Sequence, residues 1–164
     1  MPVVWGTQYI EAARTLLYAR LTELVTQMTT GYDPKFVAAF DHHLVSAIRV
    51  NAITLGLERA EPVDGSSAVG TTGILAEHRM IFSIRVHTDY TGGWQDEQKQ
   101  ARLLESIENK LRARLTLASA SQPRSQIFIN AVGAIQIGQS FEDTNTIGGS
   151  IAVEVRSVVE HTQE

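Results

Sequence analysis

The stretch RMIFSIRVHTDY, residues 79–90, is followed at residue 94 by WQDEQKQARLLESIENKLRARL, and the change of pattern between them decides the fold. In the first stretch apolar residues occupy every second position, which is typical of a strand with one buried face. In the second they recur at steps of three and four, which is typical of an amphipathic helix. The sequence therefore predicts a strand over 74–88 and a helix over 94–117.

The same helical spacing recurs near the N-terminus and predicts a helix from Thr7 to about Met28. After it, Asp33-Pro34 has the form of a helix N-cap followed by proline at the first helical position. We expect a short helix that ends before about Val45. A longer helix through Ile48 is the alternative, and whether 34–44 is helix or the lead-in to a strand stays open.

Alternating apolar residues predict three further strands. The first covers Ser46 to Val63 with an irregularity near Ala52, and it forms a long hairpin with 74–88 through the glycine-rich tip at 64–73, which we expect to be flexible. The others cover 127–137 and Ile147 to Val159. The predicted fold is α+β in one domain of residues 1–164, with a mostly antiparallel sheet, a long β-hairpin and two main helices on one face, in the order α-β-β-α-β-β.

Composition limits the chemistry. The 164 residues contain no cysteine, which excludes disulfides, thiolate metal sites and a cysteine nucleophile. The formal net charge of −4 argues against a general electrostatic footprint for nucleic acid. The first residues lack the pattern of a signal peptide, and no apolar run is long enough to cross a membrane. We expect a cytoplasmic protein with no cofactor.

Two groups of residues could carry catalysis or bind a metal. Asp41-His42-His43 could ligate a metal, but adjacent helical positions point about 100° apart, so solvated polar residues are the favoured interpretation. His87 and Asp89 share a strand face and could act as an acid–base pair. No recognisable nucleophile accompanies them, so we expect neither a catalytic site nor a bound metal.

The element order over residues 7–161, ending in QIFINAVGAIQIGQ and FEDTNTIGGSIAVEVRSVVEH, resembles the tail terminator proteins of tailed bacteriophages. The resemblance implies a structural virion protein of the tail or neck, assembled in the host cytoplasm. Such proteins form a ring, usually a hexamer, that caps the tail tube and joins it to the head-side connector while DNA passes through the lumen. A second neck protein, a connector protein or a tail tube protein is the nearest alternative, and a small α+β enzyme using His87 and Asp89 is a more distant one.

Within that resemblance, two sets of residues are candidates for assembly contacts. The polar loop of Glu142, Asp143, Thr144 and Asn145 is a candidate lumen or interface loop, and Gly148-Gly149 after it is expected to be a hinge. A candidate surface between subunits consists of Arg112, Arg114, Glu154 and Arg156. On the last strand, Ile151, Val153 and Val155 are expected to face the helices, with Glu154 and Arg156 facing outward or towards a neighbouring subunit.

Overall fold

A computed structural model describes residues 9–29, 37–41, 52–63, 68–69, 73–88, 94–117, 125–141 and 146–162. The helices are α1 (Tyr9–Thr29) and α2 (Trp94–Arg112). The strands are β1 (Val37–Asp41), β2 (Ala52–Pro62), β3 (Ala68–Val69), β4 (Gly73–Thr88), β5 (Ser125–Phe141) and β6 (Thr146–Thr162). Of the predicted hairpin tip, only the two residues of β3 and Gly73 lie within the described residues.

The strands form one sheet in the order β1-β2-β4-β6-β5, with β3 paired to the start of β4. β1 runs parallel to β2, and every other pairing is antiparallel. β2 and β4 form the long hairpin that the alternating pattern predicted. The α+β fold, with the order α-β-β-α-β-β for its main elements, is thereby confirmed.

Both helices pack on the same face of the sheet, and the core lies between them and the sheet. On β4 every second side chain is fully buried there, as the sequence predicted, and the set is Met80, Phe82, Ile84 and Val86. On β6, Ile151, Val153 and Val155 are also fully buried, which confirms that they face the helices. The opposite face of the sheet, which we call the open face, is not covered by any of the described helices.

β5 is longer than the stretch of β6 that it pairs with. It uses 17 residues, from Ser125 to Phe141, to pair with β6 from Val159 to Thr146. The register shifts at three places along this pairing, between Ile129 and Ala131, between Val132 and Ile135, and between Gln136 and Gln139. Each shift places one extra residue in β5, which is the definition of a β-bulge.

One prediction of secondary structure is wrong. The residues 37–41 form strand β1 rather than the short helix expected after Asp33-Pro34. The strand forms because Val37, Phe40 and Asp41 pair with Ala52, Thr54 and Leu55 of β2, and such a pairing between distant residues overrides a local capping pattern. The remaining residues of the predicted helix lie outside the described part of the chain.

The end of α2 also differs from the prediction. The helix ends at Arg112, five residues before the predicted Leu117, and Leu115 is half-exposed rather than buried in its apolar face. The chain leaves the helix because it pairs with β5, where the Leu117 amide donates to the Ile127 carbonyl at 2.8 Å and the Ile129 amide donates to the Leu115 carbonyl at 2.8 Å. Backbone pairing at the sheet edge therefore replaces the last helical turn.

Two local irregularities are placed differently from the expectation. The register shift in β2 lies between Leu57 and Arg59 rather than near Ala52. Gly148 and Gly149 are not a hinge, because they lie inside β6 and pair with His87 and Val86 of β4. The closing strand begins at Thr146, one residue before its predicted start at Ile147, and so contains both glycines.

Candidate functional site

The described residues contain no group of three or more histidine or acidic side chains that could hold a metal ion. Of the Asp41-His42-His43 triplet, only Asp41 lies within them, as the last residue of β1. No helix in the described part of the chain is both long and apolar enough to cross a membrane.

His87 is buried and already engaged. Its Nε2 lies 2.8 Å from the Thr54 hydroxyl oxygen of β2, and its ring centroid lies 5.2 Å from that of Phe141. The guanidinium carbon of Arg85 lies 4.6 Å from the centre of the same Phe141 ring. His87 is thus a packed residue at the end of the open face, only 2% exposed. Its proposed partner Asp89 lies outside the described residues.

The open face carries a row of charged side chains that crosses the central strands. We call it the charged ladder, and it consists of Arg59 and Glu61 on β2, Glu77 and Arg79 on β4, and Glu154 and Arg156 on β6. Arg79 pairs with Glu61 and, at 3.4 Å, with Glu154. Arg156 lies 3.0 Å from Glu77. Glu154 and Arg156 therefore face away from the helices, as predicted, within a network of cross-strand ion pairs.

Two members of the charged ladder, Glu61 and Arg79, stabilise each other in the ionised state. A hydrogen bond from Arg79 to the Glu61 carboxylate, reinforced by the charges of Arg79 and Arg59, lowers the pKa of Glu61 below its ordinary value of 4.5. The reciprocal hydrogen bond and charge raise the pKa of Arg79. Three arginines face three glutamates, so the ladder is electrically neutral, and it can meet another surface without a net charge repelling it.

We expect the Glu61→Gln variant to lose less stability than the wild type when the pH is lowered. Because folding lowers the pKa of Glu61, its contribution is fully present above pH 4.5 and is lost as the pH falls through the lowered pKa. Urea unfolding midpoints measured between pH 6 and pH 3 should fall less for the variant than for the wild type. Glu105→Gln, on the exposed side of α2, is the control. If the midpoint of Glu61→Gln fell with decreasing pH as much as that of the wild type, the prediction would be contradicted.

A second charged surface lies where the end of α2 meets α1. We call it the basic corner, and it consists of Arg20, Lys110, Arg112 and Arg114. Arg20 is 4% exposed, and its guanidinium donates hydrogen bonds to the Arg114 carbonyl and, at 2.7 Å, to the Thr116 carbonyl. Burial and the charge of Arg114 lower the pKa of Arg20. Arg20 thereby fixes the chain that follows α2 against α1.

We expect Arg20→Met to destabilise the protein by about 2 kcal/mol, because two carbonyls lose a charged donor. Arg20→Lys keeps the charge but offers no planar pair of donors, so it should retain only part of this stability. Chemical denaturation measures both. If Arg20→Lys proves as stable as the wild type, the paired hydrogen bonds are not the source of the stabilisation.

Two other contacts extend the basic corner. Lys110 Nζ lies 2.7 Å from a Glu23 carboxylate oxygen, and this hydrogen bond lowers the pKa of Glu23. Arg112 pairs with Glu108 at 3.3 Å and its Nη2 lies 3.4 Å from the Val132 carbonyl. The structure therefore separates the predicted set of four. Arg112 and Arg114 belong to the basic corner, whereas Glu154 and Arg156 belong to the charged ladder.

The predicted lumen loop lies outside the described residues. Glu142 to Asn145 join Phe141, the last residue of β5, to Thr146, which pairs with it at the start of β6. The flanking pair, Phe141 and Thr146, lies at the end of the sheet where β4 ends.

Two buried polar residues escaped the sequence analysis. Gln100 of α2 is 1% exposed, and its side chain donates to the Thr88 hydroxyl at 3.1 Å and accepts from the Gly138 amide at 3.0 Å. Arg20 is the other. Each falls on the apolar side of its helix, Gln100 four residues before Leu104 and Arg20 three after Leu17. A polar residue on the apolar side of a predicted helix could have identified both side chains, since buried polar groups require hydrogen-bond partners.

No protein-family model matches the chain, and no curated protein matches it. Among solved structures, it is similar to a chain of the "Virion of native gene transfer agent (GTA) particle". The identity is 15%, the match covers 88% of this chain and 92% of that chain, and the TM-score is 0.47.

Proposed function

We propose that this protein is a structural subunit of a phage-like virion that forms a ring at the head-proximal end of the tail, as a tail terminator does. The observation that carries the proposal is the separation of two different charged surfaces on one subunit. The charged ladder lies on the open face of the sheet, and the basic corner lies at the junction of the two helices. A ring that closes by head-to-tail contacts needs two unlike surfaces on every subunit.

The element order supports the tail terminator over an unrelated ring protein. The chain has the pattern of a helix, a long hairpin, a second helix and two long closing strands, which is the pattern that resembles this family. In this role the protein binds further copies of itself, the tail tube protein and the connector or neck protein. DNA passes through the ring without sequence-specific contacts, and the loop of Glu142, Asp143, Thr144 and Asn145 lies at the lumen or at a subunit interface.

The burial of His87 disfavours the enzyme alternative. A general base must reach a substrate proton, and the imidazole of His87 is enclosed with its Nε2 bonded to Thr54. A packing and hydrogen-bonding role explains this histidine without any catalysis.

Native mass spectrometry and negative-stain microscopy of the purified protein test the proposal. We expect a single-layer ring, most simply of six subunits, over a range of protein concentrations. Long tubes would favour a tail tube protein instead. A monomer at every concentration would overturn the ring.

Capping distinguishes a terminator from another neck protein. Added to growing tubes of the cognate tube protein, a terminator should arrest elongation and be found at one tube end by microscopy. Binding only to the connector, with no effect on tube length, would identify the neck alternative.

A further inference from the structure

The two ends of α2 have opposite charge, and each end bears an exposed apolar side chain. At the N-terminal end, Asp96 and Glu97 stand beside Trp94, whose side chain is 66% exposed. Beyond the C-terminal end, Arg112 and Arg114 of the basic corner stand beside Leu115, which is 50% exposed. Tryptophan and arginine are enriched among the residues that anchor protein interfaces, and Leu115 adds apolar surface beside the two arginines.

The basic corner carries charge that its own carboxylates do not neutralise. Its four cations face two described carboxylates, Glu23 and Glu108. Arg114 is exposed and makes no ion pair within the described residues. Of the 14 basic and 18 acidic residues of the chain, this leaves ten basic residues against sixteen acidic ones elsewhere. The corner is thus a positive surface on an otherwise acidic protein.

From this arrangement we propose that the basic corner with Leu115 of one subunit docks against the N-terminal end of α2, with Trp94 and Glu97, of a second copy. The contact joins opposite charges and buries Leu115 against the indole. It is heterologous, because a two-fold contact through either end would bring like charges together. The inference rests on the proposed ring and names the N-terminal end of α2, rather than the charged ladder, as the surface that meets the basic corner.

A second copy of this protein is a better partner for the basic corner than DNA. Only two positive charges are in excess there, and the remaining sixteen acidic residues would repel a polyphosphate duplex from the subunit. A carboxylate-bearing surface of limited size matches this excess. The N-terminal end of α2 supplies such a surface together with an apolar partner for Leu115.

Engineered cysteines test the contact directly, since the chain has none of its own. In the double variant Glu97→Cys/Arg114→Cys, the helix alone separates Glu97 from Arg112 by about 22 Å, at a rise of 1.5 Å per residue, and Arg114 lies two residues beyond its end. A disulfide needs Cα atoms within about 7 Å, so no bond can form inside a subunit. Oxidation of the assembled protein should therefore give a series of covalently linked oligomers on a non-reducing gel, and the largest of them gives the number of subunits in the ring.

The single variants control the direction of the contact. Arg114→Cys alone and Glu97→Cys alone should remain monomeric on a non-reducing gel. Efficient dimerisation of either one would show a two-fold contact and overturn the inference. A double variant that assembles into rings but forms no covalently linked oligomers would also overturn the inference, while leaving the proposed ring intact.

Charge reversal supplies an independent readout. We expect Arg114→Glu to raise the protein concentration required for ring formation by about tenfold or more, and Glu97→Arg to do the same. The two reversals combined should restore assembly. Arg102→Glu and Glu105→Arg, exposed in the middle of α2, are the matched controls, and circular dichroism checks that every variant folds. No rescue in the double reversal would contradict the pairing of these two ends, and a wild type that never associates would overturn the ring as well.

Discussion

Gly148→Ala is expected to destabilise the protein by about 3 kcal/mol, at the upper end for the insertion of one methyl group into a packed region. A Cβ at Gly148 would overlap the carbonyl oxygen of Val86 on the neighbouring strand. That oxygen belongs to the backbone and cannot swing aside as a flexible side chain could. To accept the methyl group, β4 and β6 would have to separate where His87 pairs with Gly148.

Thermal unfolding measures this effect, with an expected fall in midpoint of about 6–12 °C for a domain of this size. Gly138→Ala is the matched control. Gly138 adopts a φ of 73° with no heavy atom near its missing Cβ, so its substitution strains the backbone without a clash. The control should cost about 1–2 kcal/mol. If the two variants were equally stable, the close approach of Val86 would not be the reason for glycine at 148.

Phe82→Ala is expected to cost about 3–5 kcal/mol, as is usual for removing a buried aromatic ring. Phe82 is fully buried in β4, which lies between β2 and β6 at the centre of the sheet. Its direct neighbours across the strands are Leu57 and Val153. Because the helices, β2 and β6 all meet the core at this strand, no single element can shift to fill the space left by the ring.

Urea denaturation measures the loss in Phe82→Ala. Phe82→Leu, which keeps most of the apolar volume, should cost less than half as much. Ile81→Ala, on the neighbouring position that faces away from the helices, tests whether the effect belongs to the core. Ile81 is only half-buried on the open face, so a loss as large as that of Phe82→Ala would contradict the one-sided core.

Periodicity predicted the elements whose structure is decided by one buried face. These elements are the strand at Met80 to Val86, the strand at Ile151 to Val155 and the two long helices. In each of them the apolar residues recur at every second position or at every third to fourth position, so the buried face can be recognised from the sequence alone. Their boundaries were right to within a few residues except at the end of α2.

The errors arose where pairing between distant parts of the chain decides the outcome. The apolar spacing of α2 continues through Leu115, but the backbone there pairs with Ile129 of β5. Residues 37–41 follow Asp33-Pro34, which has the form of a helix start, yet they form a strand parallel to β2. Neither partner can be recognised from the local pattern, since β-pairing depends on which strand edge is available in the assembled sheet.

The candidate surfaces were only partly predictable. The alternation in β6 correctly put Glu154 and Arg156 on the face away from the helices. It could not show that these two side chains belong to a different surface from Arg112 and Arg114, because that depends on where α2 lies over the sheet. The basic corner also depends on Arg20, ninety-four residues before Arg114 in the chain.

The three extra residues in β5 have a consequence for the behaviour of the protein at high concentration. An outermost strand with a regular backbone is a template on which another molecule can add a strand, and repeated addition leads to amyloid-like fibres. In β5 the spacing of amides and carbonyls is interrupted three times, so an incoming straight strand cannot stay in register along it. Strand addition at the β5 edge should therefore be disfavoured even in concentrated solutions of the protein.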